Sequence, residues 1–331
     1  MLLRNSGLIL LIALIMFNSC KKSGGNSSGP TVYAAGYWGN TRYSVAAYWV
    51  NGRLVSLTDT TQYAIAVAIC ASGNDVYAAG VVGALTNSSS NVATYWKNGQ
   101  AVHLGTPGLS GAEAIAVEGA DVYVAGGDGG PVYWQNGQEV ILNGGLMPSY
   151  GISIAVSGGD VYVAGEDSLR NPCYWKNGQL IELPGMYSQA AAIAVSGNNV
   201  YVAGRQIDTT TGTWEAILWT NGVSSMLSTD TLGSGAGTLA IDGQDVYVGG
   251  NAGNVSAVWK NGQPFPMPAT PSHQLYAWSM GVVDGKVYVG GNALSLSPGL
   301  TVQAAYWSED GLVILDKNPN QGSNVWGVFV K

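Results

Sequence analysis

Short apolar runs, each cut off by a polar turn, recur along the whole chain, and none carries a 3.6-residue period long enough for an amphipathic helix. The stretch from Ile152 shows the pattern. Ile152 to Val156 is an apolar run too short for a helix and suited to a buried strand. Ser157-Gly158-Gly159-Asp160 reads as a tight turn. "VYVAG" (161–165) reads as a second strand, its Val and Tyr side chains alternating between two faces. After a variable stretch, "CYW" opens a third strand at Cys173, "KNGQ" turns, and "LIEL" (180–183) forms a fourth. The predicted unit is a four-stranded antiparallel sheet.

The unit repeats. The valines that open each "VY" are Val32, Val76, Val122, Val161, Val200, Val246 and Val287, spaced 39 to 46 residues apart, which matches one propeller blade and exceeds a β-helix rung. Asn-Gly, the dipeptide suited to a type I′ hairpin because both central positions need positive φ, falls at one phase at Asn51, Asn98, Asn136, Asn177, Asn221 and Asn261. Asp310-Gly311 stands in that place in the last unit and is expected to serve the same geometry.

The first unit lacks the leading strand, and the terminal "VWGVFV" lies in the phase of that missing strand. The expectation is therefore an all-β, seven-bladed β-propeller with four-stranded blades, its ring closed by the C-terminal strand joining the N-terminal blade. "VYVGG" at 246–250 and 287–291 with a downstream Trp resembles secreted bacterial β-propeller repeat proteins and, more distantly, kelch repeats. That resemblance covers Thr31 to Lys331 and implies fold far more than function.

Composition supports the strand reading. Charged residues are only 10%, glycines number 48, and Val, Tyr and Trp dominate the apolar runs. A net charge of −7 argues against nucleic acid and against electrostatic docking on anionic lipid. Residues 1–19 read as a signal peptide: Arg4, then the short apolar run Gly7 to Phe17, then Ser19 before Cys20. "NSC" resembles a bacterial lipobox, which implies lipidation of Cys20. The alternative, an uncleaved membrane anchor, is disfavoured because the run is shorter than the roughly 20 residues a span needs. Residues 20–30 then form the lipidated Cys and a flexible Gly/Ser tether, and 31–331 the propeller. The implied address is the outer membrane of a cell envelope, on its periplasmic or its surface face. Cys70 and Cys173 fall two units apart and read as free thiols.

One Tyr and one Trp recur per unit and read as packing between sheets. Trp278 and Trp326, in or beside innermost strands, read as core or channel packing. No metalloprotease, EF-hand or nucleophile-elbow motif is present, and no cofactor is implied. The adjacent Glu166 and Asp167 read as a solvated loop rather than a glycosidase pair. One rim consists of short, uniform turns. The other carries variable loops, and function sits in loops on a rigid scaffold. Its candidate ligand contacts are Tyr37, Trp38, Arg42, Arg170, Arg205, Trp214, His273 and Tyr276, with Trp38 and Trp214 assigned to loops. The expected function is a non-catalytic, monomeric binding module for a glycan or protein, held to the membrane by its lipid alone. The alternatives are an assembly component of an envelope complex and, last, a glycan-active hydrolase or lyase.

Overall fold

The computed structural model describes residues 29–40, 43–85, 87–146, 153–185, 187–228, 232–253, 255–268, 270, 272–296, 302–315 and 322–331. Regular structure among them is entirely β. The first repeat supplies β1 (Val32–Gly39), β2 (Ser44–Val50) and β3 (Arg53–Ser56). The second supplies β4 (Gln62–Ser72), β5 (Asp75–Ala84), β6 (Asn87–Lys97) and β7 (Gln100–His103). Next come β8 (Ser110–Glu118), β9 (Asp121–Asp128), β10 (Pro131–Gln135) and β11 (Gln138–Ile141). The fourth repeat has β12 (Gly145–Leu146), β13 (Ser153–Ser157), β14 (Asp160–Asp167), β15 (Pro172–Lys176) and β16 (Gln179–Glu182). The fifth has β17 (Ser188–Ser196), β18 (Asn199–Ile207), β19 (Trp214–Thr220) and β20 (Val223–Met226). The sixth has β21 (Ser234–Asp242), β22 (Asp245–Ala252), β23 (Val255–Lys260) and β24 (Gln263–Phe265). The seventh has β25 (His273–Val283), β26 (Lys286–Ser295), β27 (Val302–Ser308) and β28 (Gly311–Ile314), and β29 (Gly322–Val330) follows.

The sheets form a β-propeller, with innermost strands β4, β8, β13, β17, β21, β25 and β29 each lying against the next, and β29 against β4. The expectation of seven separate four-stranded blades, closed by the C-terminal strand joining an N-terminal blade, is corrected. Five sheets stand alone as blades, four of four strands and one of five. No separate N-terminal blade exists, because the first two repeats are hydrogen-bonded into one eight-stranded sheet ordered β29-β1-β2-β4-β5-β6-β7, with β3 on β2. Strand β29 is the edge of that merged sheet, antiparallel to β1. The joint is a single parallel bridge from Ser44 of β2 to Tyr63 of β4, and the small, fully buried Ala46, Ala47, Ala64 and Ala66 of the same two strands let them lie close.

Between sheets, the Trp of one repeat packs on the Tyr of the repeat before it. Trp175 meets Tyr123, Trp219 meets Tyr162, Trp307 meets Tyr247, and Trp49 of the first repeat meets Tyr288 of the last. These four, with Trp96, Trp134 and Trp259, are at most 2% exposed. Each ring removes roughly 200 Å² from water, worth roughly 5 kcal/mol before the entropy of ordering it. Cys70 and Cys173 are unbridged, and burial pushes the Cys70 thiol up to about 12.

The uniform rim is held by one repeated bond set. Asn136, at φ 51°, accepts from Val122 N–H through Oδ1 at 2.9 Å and donates from Nδ2 to Asp121 at 2.7 Å. Asn98, Asn177 and Asn261 do the same with Asp75, Asp160 and Asp245. A lysine completes three of these sets, as Lys176 pairs with Asp160 at 2.7 Å and lies over the Tyr162 ring. The hydrogen bond and charge of Lys176, with Asn177, hold the Asp160 carboxyl below the usual range. Asp310-Gly311 does not reproduce this geometry: the positive-φ pair in the last repeat is Asp284-Gly285, and Asp310 pairs with Lys286, which stands where the other repeats carry Asp or Asn.

Candidate functional site

Six of the seven innermost strands break register once, at or near mid-strand. The extra residue is Val67, Glu113, Ala191, Gly237, Trp278 and Trp326. A bulge of this kind re-aims one side chain out of the ladder. The glycine of each "VY" unit sits opposite the break, because a Cβ on Gly126 would overlap the Gly111 carbonyl oxygen, and one on Gly291 that of Tyr276. The recurring glycine therefore marks the bulge that aims a side chain at the axis.

Two neighbouring strands place tryptophan there. Trp278 is 46% exposed and Trp326 is half-buried, with ring centroids 5.3 Å apart at 43°. Tyr276 beside them is also exposed. The buried Asn292 amide bonds Asn324, and with its oxygen toward Trp278 it also accepts from the indole Nε1 at 3.2 Å. Asn324 in turn donates to the Tyr37 hydroxyl, whose pKa burial pushes up. The indole N–H of Trp326 is buried and makes no hydrogen bond. Around the axis, Glu113 reaches solvent, yet desolvation by its surroundings holds its carboxyl above the ordinary range.

The residue after each repeat glycine varies: Tyr37, Val81, Gly127, Glu166, Arg205, Asn251 and Asn292. It is polar on five successive repeats, from Glu166 round to Tyr37, and apolar on the other two. Glu166 is only 2% exposed and its Oε1 has no partner. Burial raises its pKa, opposed by a hydrogen bond to Gln189 and the charges of Arg170 and Arg205. Arg205 donates from Nε to Gln189 Oε1 at 2.7 Å and stacks on Trp214 at 4.2 Å. Asp167, by contrast, closes its own turn: despite burial, bonds from Asn171 and Leu169 hold its pKa low. Glu166 and Asp167 are thus buried in β14 rather than solvated.

The predicted contacts divide. Tyr37 and Tyr276 belong to the tryptophan cluster, and Arg205 and Trp214 to the Glu166 cluster. Arg170 is exposed at φ 65° in the adjoining turn. His273 begins β25, its ring bonded to Ser272. Trp38 lies in β1, not a loop; it turns from Tyr37 toward Ser56 and Tyr43 and packs between sheets. Trp214 is likewise in a strand, β19. Arg42 and Cys20 lie outside the described residues. Trp278, Trp326, Asn292 and Asn324 were not among the expected contacts; the two bulge tryptophans, off the Trp phase of the repeat, were the available signal. A concavity of about 410 Å³ lies elsewhere, lined by Leu227, Trp259, Phe265 and Met267 among others, with no titratable group.

No protein-family model matches the chain, and no curated protein does. Solved structures share the fold. Acylaminoacyl peptidase from Pyrococcus horikoshii aligns with TM-score 0.52 at 11% identity, over 88% of this chain and 52% of that one. This chain thus spans about half the length of that peptidase. The β-propeller domain of the Trilobed protease from Pyrococcus furiosus aligns with TM-score 0.48 at 11% identity, over 84% and 90% of the two chains. The WD40 propeller of Doa1 gives 0.43 at 14%, over 75% and 91%. At these identities the likeness concerns the fold alone.

Proposed function

We propose that the chain is a non-catalytic binding module of a bacterial cell envelope that takes its ligand at the variable rim, around the axial opening. One observation carries this reading. Within a scaffold of near-identical repeats, the two positions that face the opening are the ones that vary, and they vary asymmetrically, with tryptophans and polar groups gathered on consecutive strands. Packing alone asks for the same residue in every repeat; recognition asks for different ones. The rigid sheets preorganise these groups, so little ordering entropy opposes binding.

The anchoring proposal fits the same orientation. Val32 enters β1 at the uniform rim, tied to the Asn51 turn at 2.8 Å. A lipid on Cys20, joined by a ten-residue tether with a reach of roughly 18 Å, would hold the uniform rim toward the bilayer and leave the variable rim free.

The test compares immobilised wild type with Arg205→Ala and Tyr276→Ala on one rim and Lys176→Ala and Lys260→Ala on the other. Ligands retained from envelope extracts and glycan arrays should be lost with the first pair and kept with the second. The reverse pattern would place the site on the uniform rim. An assembly role is the second reading, favoured by apolar loop tips on the variable rim: Leu109, Leu169, Tyr187 and Leu232 are each more than 60% exposed.

A further inference from the structure

Building on the rim reading, we infer that the Trp278–Trp326 pair is a subsite for a neutral sugar ring of an oligosaccharide. Three observations on the same few residues point there. First, both indoles belong to the bulged residues of neighbouring innermost strands β25 and β29, and Trp278 presents nearly half its surface to water. Second, the groups around the pair are neutral and bind through hydrogen bonds: Tyr276, Asn292, Asn324 and Tyr37. Amide and phenol groups both donate and accept hydrogen bonds, which matches sugar hydroxyls. Third, Trp326 packs against Trp278 with ring centroids 5.3 Å apart, which holds the exposed indole in place, so C–H groups of a sugar ring can cover its face at little ordering cost. The corresponding positions elsewhere, Val67, Ala191 and Gly237, offer neither stacking nor a hydrogen bond.

The test is isothermal titration of the full chain with β-1,4-linked gluco-, manno-, xylo- and N-acetylglucosamine oligosaccharides. At least one should bind. Trp278→Ala should weaken it by about thirtyfold or more, and Trp326→Phe, which leaves a smaller ring against Trp278, by a smaller factor. The affinity should hold between about 50 and 500 mM salt, because no ion pair is involved. Melting temperatures of both variants should stay near wild type, and Trp214→Ala should bind normally. Failure of every sugar to bind at about 10 mM would overturn the inference, as would binding untouched by Trp278→Ala, or binding restricted to charged sugars and lost with salt. A protein ligand captured through Arg205 and Tyr276 while no sugar binds would sink this inference and leave the rim reading standing.

Discussion

Asn136 does three jobs in one turn, and replacing it separates them. Its φ of 51° lies where an ordinary L-residue costs about 1–2 kcal/mol. Its Oδ1 is the acceptor for Val122 N–H, in a residue only 7% exposed, and an orphaned donor there costs about 1–3 kcal/mol. Asn136→Ala removes both and should lose about 2–4 kcal/mol, a large part of a typical domain's stability. Asn136→Gly restores the backbone freedom and should lose only the second part. Asn136→Asp keeps the acceptor but sets a second carboxylate against Asp121, which now receives a bond at 2.7 Å. The last repeat shows the remedy: its turn carboxylate, Asp310, faces Lys286. Asp121→Lys combined with Asn136→Asp should therefore recover part of the loss. Urea unfolding at constant m-value gives the four differences. If Asn136→Ala unfolds at the wild-type midpoint, or the double substitution is no better than Asn136→Asp alone, the account of this turn is wrong.

The bulge makes a sharper steric prediction. Gly126→Ala must displace the Gly111 carbonyl and should cost about 1–3 kcal/mol or prevent folding, whereas Gly130→Ala, with open space around it, should melt as wild type. Glu166 has its pKa raised by burial, so its effect on stability is most favourable when protonated and is lost as pH rises through the raised value. Glu166→Gln should accordingly stabilise the protein at pH 7 and converge with wild type below about pH 4. The Asp75, Asp160 and Asp245 carboxyls are depressed, so their contribution is present above about pH 4 and fades as pH falls through their lowered values. Replacing all three by Asn should flatten the acid side of a stability-versus-pH curve.

The repeat, its strands and its hairpins were legible because each is written locally: alternating Val and Tyr for a strand, Asn-Gly for a turn. The count of separate sheets was not. Whether two repeats stay apart depends on what lies between their edges, and the alanines from Ala46 to Ala66 that let β2 reach β4 carry no pattern of their own. Tyr37, Arg205 and Tyr276 were drawn from stretches that vary between repeats, since variable residues beside constant ones stand out, and the structure places them in strands β1, β18 and β25 rather than in loops. Trp38 misled because an aromatic next to a loop looks the same whether it turns inward or outward, and a shift of one residue along β1 decides it. Trp278 read as core or channel packing because it lies within an innermost strand, and the sequence alone did not separate the two. Only the bulge, which adds a residue to the register, turns it to the opening. Glu166 looked solvated because nothing nearby in sequence announces Gln189 and Arg205.

The central claim is that ligand meets the axial tryptophans and not the blades. The eleven tryptophans each give one indole N–H signal in a nitrogen-15 spectrum. Those of Trp175 and Trp219 are locked onto backbone carbonyls and serve as internal controls. On titration with whichever oligosaccharide binds, the Trp278 and Trp326 signals should move and the control signals stay put. A saturated complex in which the controls move while Trp278 and Trp326 do not would contradict the account.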